Sequence, residues 1–388
     1  MKTLLVTHHD LRQLVASIGI DALMDEMIAR LTDALVNFDA AETDIPIRTG
    51  FNYEGPTVGL VEWMPVHESG AITLKIVGYH PDNPDDHGLP TVLSTISRYT
   101  TDTGHLQALI DGTFMTAIRT GAASAVATRA LARSGSRTLG LVGCGAQAVT
   151  QLHAIGRLFD IDEVLIHDTD AAAMDSLPAR VRSFGGDRYR MRAATPEAIV
   201  AESDIISVAT SVDVGGGPVL PATEHRPWLH VNAVGSDFPG KIEVPRSFLD
   251  ASLVCADFLG QARQEGECQQ LDSLDDVVEF VDVVKRHDAY ADARERPTVF
   301  DSTGWALEDR VSMELVLEHV RRLGLGTEVE IESVTADPRH PYEMLDAMAA
   351  ERPGDAGSAA RSTPSSNPGS NPSSNPGSSP ASSRVARQ

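Results

Sequence analysis

Lysine is scarce in this 388-residue chain. Of its 32 Lys and Arg residues only four are lysines, Lys2, Lys75, Lys241 and Lys285. In a sequence that prefers arginine, a retained lysine points to a site that wants a compact ammonium rather than a planar fork. Positive charge is short overall, with a formal net charge of -23. That argues against a nucleic-acid partner or an anionic membrane surface, both of which need basic patches. The three cysteines, Cys144, Cys255 and Cys268, are too few and too scattered for a disulfide framework or a zinc site, so a reducing cytoplasm is the expected compartment. Histidines are present, but their spacing suggests no metal site. No apolar run approaches the roughly 20 residues that span a bilayer. The opening MKTLLVTHHDLRQ turns polar too soon for a secretory signal.

Aromatic and large aliphatic residues almost vanish from Glu351 onward, where the chain reads ERPGDAGSAARSTPSSNPGSNPSSNPGSSPASSRVARQ. Such a segment cannot bury enough apolar surface to offset its ordering entropy, so residues 351–388 are expected to be a disordered, non-catalytic extension.

Before it, two patterns alternate. Helical spacing from Leu11 to Phe38 puts helices at the head of the chain. From about Ile45 to Asp111, short β-rich runs (RTGFNYEG, TVGLVEWMPV, GAITLKIVGY, TVLSTISRYT, HLQALID) separated by Gly, Pro and Asp turns predict an antiparallel sheet. An Ala-rich helix follows at Thr116–Arg133. After Ser134 strands and helices alternate (RTLGLVG, VLIHDTD, DIISVAT, HVNAVG, SLVCAD), the pattern of a doubly wound parallel sheet. A helix at Val311–Leu323 is expected to return to the first domain. The fold class is therefore α/β, a Rossmann-type parallel sheet plus a discontinuous α+β domain. The expected division is 1–133 with 300–350 for substrate binding and dimerisation, and 134–299 for the dinucleotide.

The segment LVGCGAQA sets Gly143-x-Gly145-x-x-Ala148 between a strand and a helix, and Asp168 ends the next strand. A glycine at 145 lets a pyrophosphate approach the backbone, and the helix start at Ala146 offers free N–H groups. Asp168 is near the position that receives ribose hydroxyls, and with no arginine directly after it NAD is favoured over NADP. Thr210 and Gly235-Ser236-Asp237 end later strands, where ligands of open parallel sheets gather. An acid ending a buried strand in HVNAVGSDFPGKIEV fits a capped turn, but there it also fits the place where a hydride moves.

These motifs (RTGF, GLVEWMP, TLKIVGYHP, LIDGTFMTAIRTGAASA, GCGAQA, NAVGSDFPGK, EGECQQL, VFDSTGWALED) resemble the ornithine cyclodeaminase/mu-crystallin family from about residue 5 to 345. The resemblance implies that Arg48 and Lys75 hold a substrate carboxylate with Arg119 beside them, and that Glu62 and Asp237 face its amino groups. It puts Thr91, Arg119, Ala146, Gln147, Asp168, Thr210, Val234, Gly235, Ser236, Lys241 and Ser302 on cofactor contacts, beside Gly143 and Gly145. Thr303 falls where the substrate chain is sensed.

It further implies a homodimer and a redox-neutral reaction of an L-α,ω-diamino acid with recycled NAD, lysine giving pipecolate or ornithine giving proline, with ammonia released. Asp237 is the expected proton acceptor from the ω-ammonium, with Glu62 assisting. An NAD(P)H-dependent imine reductase, an amino-acid dehydrogenase and a non-catalytic binder are the rivals.

Overall fold

The computed structural model describes residues 1–53, 58–343 and 345. By internal packing the chain divides into Met1–Glu332 and Ser333–Gln388. In the second unit the described residues form turns, such as the one closed by His340 N–H on the Asp337 carbonyl at 2.9 Å. The Ser- and Pro-rich extension at 351–388 lies outside the described residues.

The first unit is mixed α/β and holds two sheets. Its strands are β1 (Thr3–Val6), β2 (Thr49–Tyr53), β3 (Gly59–Glu68), β4 (Ala71–Tyr79), β5 (Val92–Thr100), β6 (Leu106–Asp111), β7 (Thr138–Val142), β8 (Glu163–His167), β9 (Arg190–Ala193), β10 (Ile205–Val208), β11 (His230–Ala233), β12 (Leu253–Ala256), β13 (Val278–Glu279), β14 (Thr298–Asp301) and β15 (Thr327–Val329). The helices of the predicted 11–38 segment form at His8–Ile18 and Ile20–Val36, but a strand, not a helix, leads the chain. Four residues of β1 carry no alternation to read; their partners, β15 and β6, are more than 100 positions away.

The first sheet runs β15-β1-β6-β5-β4-β3-β2 and is antiparallel except where β1 meets β6. Alternation along β3 and β4 sends Leu60, Glu62, Met64 and Val66, with Lys75 and Val77, to one face. Helix Ala306–Leu323 packs on that side and shares a core with helices Ile20–Val36 and Thr113–Leu131. The opposite face carries Phe51, Val61, Trp63, Ile72, Ile76 and Leu93.

The second sheet is parallel throughout, in the order β13-β12-β14-β11-β10-β7-β8-β9. Its central strands are buried from end to end, as expected of a sheet covered on both faces. The chain runs outward from β7 through β8 and β9, then returns to β10 on the other side. The strand order thus reverses between β7 and β10, which opens a crevice at their carboxyl ends. The boundary expected between residues 299 and 300 falls inside β14, which pairs with β11 and β12. Among the described residues no helix is long and apolar enough to cross a membrane.

Candidate active site

The crevice begins at the glycine turn. Gly143 has φ +90°, and a Cβ there would sit 2.3 Å from the Ala209 carbonyl oxygen. Only glycine fits that close approach of the β7 and β10 ends. Gly145 precedes helix Ala146–Leu158 without a side-chain cap, and a Cβ added at Gly145 meets nothing within 4 Å. The helix start therefore faces open space with its N–H groups unclaimed by a cap. Asp168 accepts the Cys144 N–H at 2.6 Å, which ties the end of β8 to the turn. Arg180 braces the same turn by donating to the carbonyls of Cys144 at 2.5 Å and Gly145 at 3.1 Å.

Thr210 and Gly235 follow the neighbouring ends of β10 and β11, and the Val234 N–H reaches the Val208 carbonyl at 2.9 Å. Ser302 lies beside them through its N–H on Ala233, while its buried hydroxyl finds no partner among the described residues. The Ser236 hydroxyl donates to the Lys241 carbonyl and Gln147 accepts from Thr150. Thr91, at the mouth of β5, offers its carbonyl to His80. Free space before a helix start, a nearby acid and an orphaned buried hydroxyl fit a dinucleotide.

Arg48 ties a second cluster together. Its Nε lies 3.3 Å from Glu62, and its terminal nitrogens reach the carbonyls of Thr303 and Asp237, each at 2.8 Å, and the Glu265 carboxylate. Lys75 pairs with Asp309 at 2.9 Å, both nearly inaccessible. Arg119 binds Glu308 at 2.5 Å and approaches Asp309 at 3.3 Å. The Asp237 side chain is about a third exposed (34%) and accepts from Lys241 at 3.1 Å. The Lys241 ammonium also lies over the Tyr79 ring, 5.2 Å from its centre.

Burial dominates the electrostatics. It pushes Lys75 down to about 8, helped by the charge of Arg119 and opposed by Asp309. It lifts Glu62 above the usual carboxylate range; Arg48 opposes that shift and Asp237 adds to it. Glu308 rises to about 7 for the same reason, with Arg119 opposing. Burial works against the charge of Lys241, but Asp237, Tyr79 and Glu243 more than offset it and raise its pKa.

The structure thus gathers Arg48, Glu62, Asp237, Lys241 and Thr303 into one cluster of contacts, and sets Lys75 and Arg119 together against Asp309 on the inner side of the first sheet. The Thr303 hydroxyl is committed to Asp257 at 3.1 Å, so this residue presents its carbonyl, and that is held by Arg48. Sequence reasoning missed the acids that hold the cations, Glu265, Glu308 and Asp309, and two buried acids that hold main-chain N–H groups and threonine hydroxyls, Asp257 and Glu243. The motifs EGECQQL and VFDSTGWALED contain Glu265, Glu308 and Asp309, and their place inside those motifs was the available signal. Among the described residues no group of three or more His, Cys, Asp or Glu could hold a metal ion.

Sheet order, glycine turn and acid-ended strands define a Rossmann-type α/β protein joined to a mainly antiparallel sheet. The chain belongs to the ornithine cyclodeaminase/mu-crystallin family, whose model matches residues 8–323. It is 40% identical to the L-lysine cyclodeaminase of Streptomyces rapamycinicus over 346 residues, 89% of this chain and 100% of that protein. A solved lysine cyclodeaminase, described with recognition of L-lysine, L-ornithine and L-2,4-diaminobutyric acid, superposes with a TM-score of 0.85. That match is at 46% identity and covers 88% of this chain and 99% of that one. An archaeal alanine dehydrogenase dimer with bound NAD gives 0.75 at 30% identity, covering 86% and 100%.

Proposed function

We propose that this protein is an NAD-dependent cyclodeaminase that closes an L-α,ω-diamino acid into a cyclic imino acid with loss of ammonia. L-Lysine, giving L-pipecolate, is the favoured substrate, ahead of L-ornithine giving L-proline. The observation that carries the reading is Asp237. It is a partly exposed acid in the loop that follows β11, and Arg48 reaches both its main-chain carbonyl and Glu62.

Bound NAD+ would take hydride from Cα and return it to the ring imine, so the cofactor is recycled rather than consumed. The protein's task is to orient the substrate and move protons. An ammonium of pKa about 10.4 is neutral in about one molecule in a thousand near pH 7.4, a cost of about 4 kcal/mol. Asp237 takes that proton and returns one to the departing ammonia, and Glu62 assists. Arg48, Lys75 and Arg119 receive the α-carboxylate, which must share them with Glu265, Asp309 and Glu308. Gly143, Gly145, Ala146 and Gln147 take the pyrophosphate side of the cofactor. Asp168 takes the ribose, and Thr210, Val234, Gly235, Ser236 and Ser302 flank the nicotinamide, with Thr91, Arg119 and Lys241 closing the crevice.

The test is turnover with catalytic NAD+ and either diamine. Ammonia formed without net NADH supports the proposal; NADH formed in step with ammonia supports an amino-acid dehydrogenase, the reading favoured by likeness to the archaeal alanine dehydrogenase.

The domain division that goes with this reading assigns residues 1–133 and 300–350 to substrate and dimerisation and 134–299 to NAD, with the second boundary moved past Asp301 so that β14 stays whole in the parallel sheet. The outer face of the first sheet, with Phe51, Ile72, Ile76 and Leu93 exposed, supports a homodimer. Three free, buried cysteines support a cytoplasmic setting.

A further inference from the structure

Glu243 is fully buried behind the crevice, and both of its carboxylate oxygens are used. One accepts the Thr210 N–H at 2.6 Å and the Thr210 hydroxyl at 2.7 Å; the other accepts the Gly235 N–H at 2.7 Å. These donors lie just past the paired residues of β10 and β11, whose ladder runs from Ile205 with His230 to Val208 with Ala233. The Val234 N–H on the Val208 carbonyl closes the ladder, and beyond it the carboxylate joins the two strand ends. A Cβ at Gly235 would lie 2.5 Å from the Glu243 carboxylate, so the acid rests directly on that residue.

Its own position is fixed from behind. Glu267 accepts the N–H of Glu243 at 2.8 Å and of Val244 at 3.2 Å, and Asp301 at the end of β14 accepts the Glu267 N–H at 2.8 Å. Buried carboxylates thus link the ends of β10, β11 and β14.

We propose that Glu243 is a positioning residue: it fixes the relative placement of the β10 and β11 ends against which the nicotinamide half of the cofactor lies, and it anchors the loop that bears Asp237. This rests on the NAD reading above. Three donors converge on Glu243, which suits a carboxylate with acceptors on both oxygens. Glutamine has nearly the same volume but must turn its NH₂ toward Thr210 or Gly235, which releases one strand end.

NAD+ titration by tryptophan quenching and steady-state kinetics at saturating NAD+ test this on the full chain. Glu243→Gln should raise the NAD+ Kd at least tenfold and lower kcat at least tenfold. The diamine KM should change less than threefold, because Asp309 and Glu308 hold Lys75 and Arg119, and Glu62, Glu265 and the Thr303 carbonyl still hold Arg48 when the Asp237 loop shifts. Glu243→Asp, which keeps the charge but falls one methylene short, should show the same split and decides the matter if the glutamine variant does not fold. Wild-type affinity and kcat in a folded variant overturn the inference alone, as does an equal loss in kcat and diamine binding. Wild-type protein that does not bind NAD+ overturns the cofactor reading and this inference with it.

Discussion

The Asp237 side chain is about a third exposed, whereas Glu62, Glu265 and Asp309 are each nearly buried against a cation. A proton acceptor must reach substrate, and of these four acids Asp237 is the one placed to do so. Replacing it by asparagine keeps the shape and the Arg48 contact, which is to the main-chain carbonyl, but removes the basic oxygen. Ammonia release should fall about 10²–10⁴-fold, the usual worth of general acid–base catalysis, while the NAD+ Kd stays within threefold. An ammonia assay beside an NAD+ titration reads both, and an active Asn variant would remove Asp237 from the chemistry.

Lys75 carries a second prediction at this scale. Burial, reinforced by Arg119, lowers its pKa from 10.5 to about 8, so the cation is present below that pH and is lost as pH rises through it. The diamine KM should therefore climb on passing about pH 8. Lys75→Met should show a high KM that no longer climbs there, as a KM-versus-pH series would reveal. For stability the depressed pKa has the opposite sense from that of an ordinary lysine ion pair. Charging the group costs stability below about pH 8, and the cost is relieved as pH rises toward 10.5.

At the scale of elements, the glycine turn joins local sequence to tertiary constraint. Gly143→Ala places a methyl against the Ala209 carbonyl at a φ of +90°. The backbone term alone costs roughly 1–2 kcal/mol, and the clash adds to it. Thermal unfolding should show a Tm lowered by several degrees, and NAD+ affinity should fall with it.

This turn was legible because its signal is local: two glycines between an apolar strand and a helix. Strands β3 to β6 were legible because alternation survives wherever one face is buried, whereas all five residues of β2 are exposed. β1, β13 and β15 were not, since two to four residues show no period and pair with distant partners. The acids behind the site were hidden for another reason. Glu308 and Asp309 occupy the first turn of helix Ala306–Leu323, where the helix dipole already accounts for acids. Their pairing with Arg119 and Lys75 depends on how that helix crosses the sheet, and Glu265 meets Arg48 only because residues 217 positions apart are packed together.

At the scale of the whole molecule, the first sheet has one face buried on helices and one that no other part of the described chain covers. Cross-strand neighbours there form rows, Phe51 with Val61 and Gly78 with Leu93, then Trp63 with Ile76. Phe51 is 69% exposed and Ile76 44%. Phe51 and Trp63 meet edge to face at 5.7 Å, so the patch is continuous rather than scattered. Contiguous exposed apolar surface of this kind marks an interface. The proposed homodimer would set a second copy on this face; the archaeal alanine dehydrogenase of similar fold is a dimer.

The inner face of the same strands carries Glu62 and Lys75, so the proposed dimer would stiffen the strands that hold them. Phe51→Glu combined with Ile76→Glu places carboxylates in the middle of the patch without touching the glycine turn. Sedimentation should then find a monomer that still binds NAD+, with a raised diamine KM as β3 and β4 loosen. A double variant that sediments like the wild type would assign this face to something other than self-association.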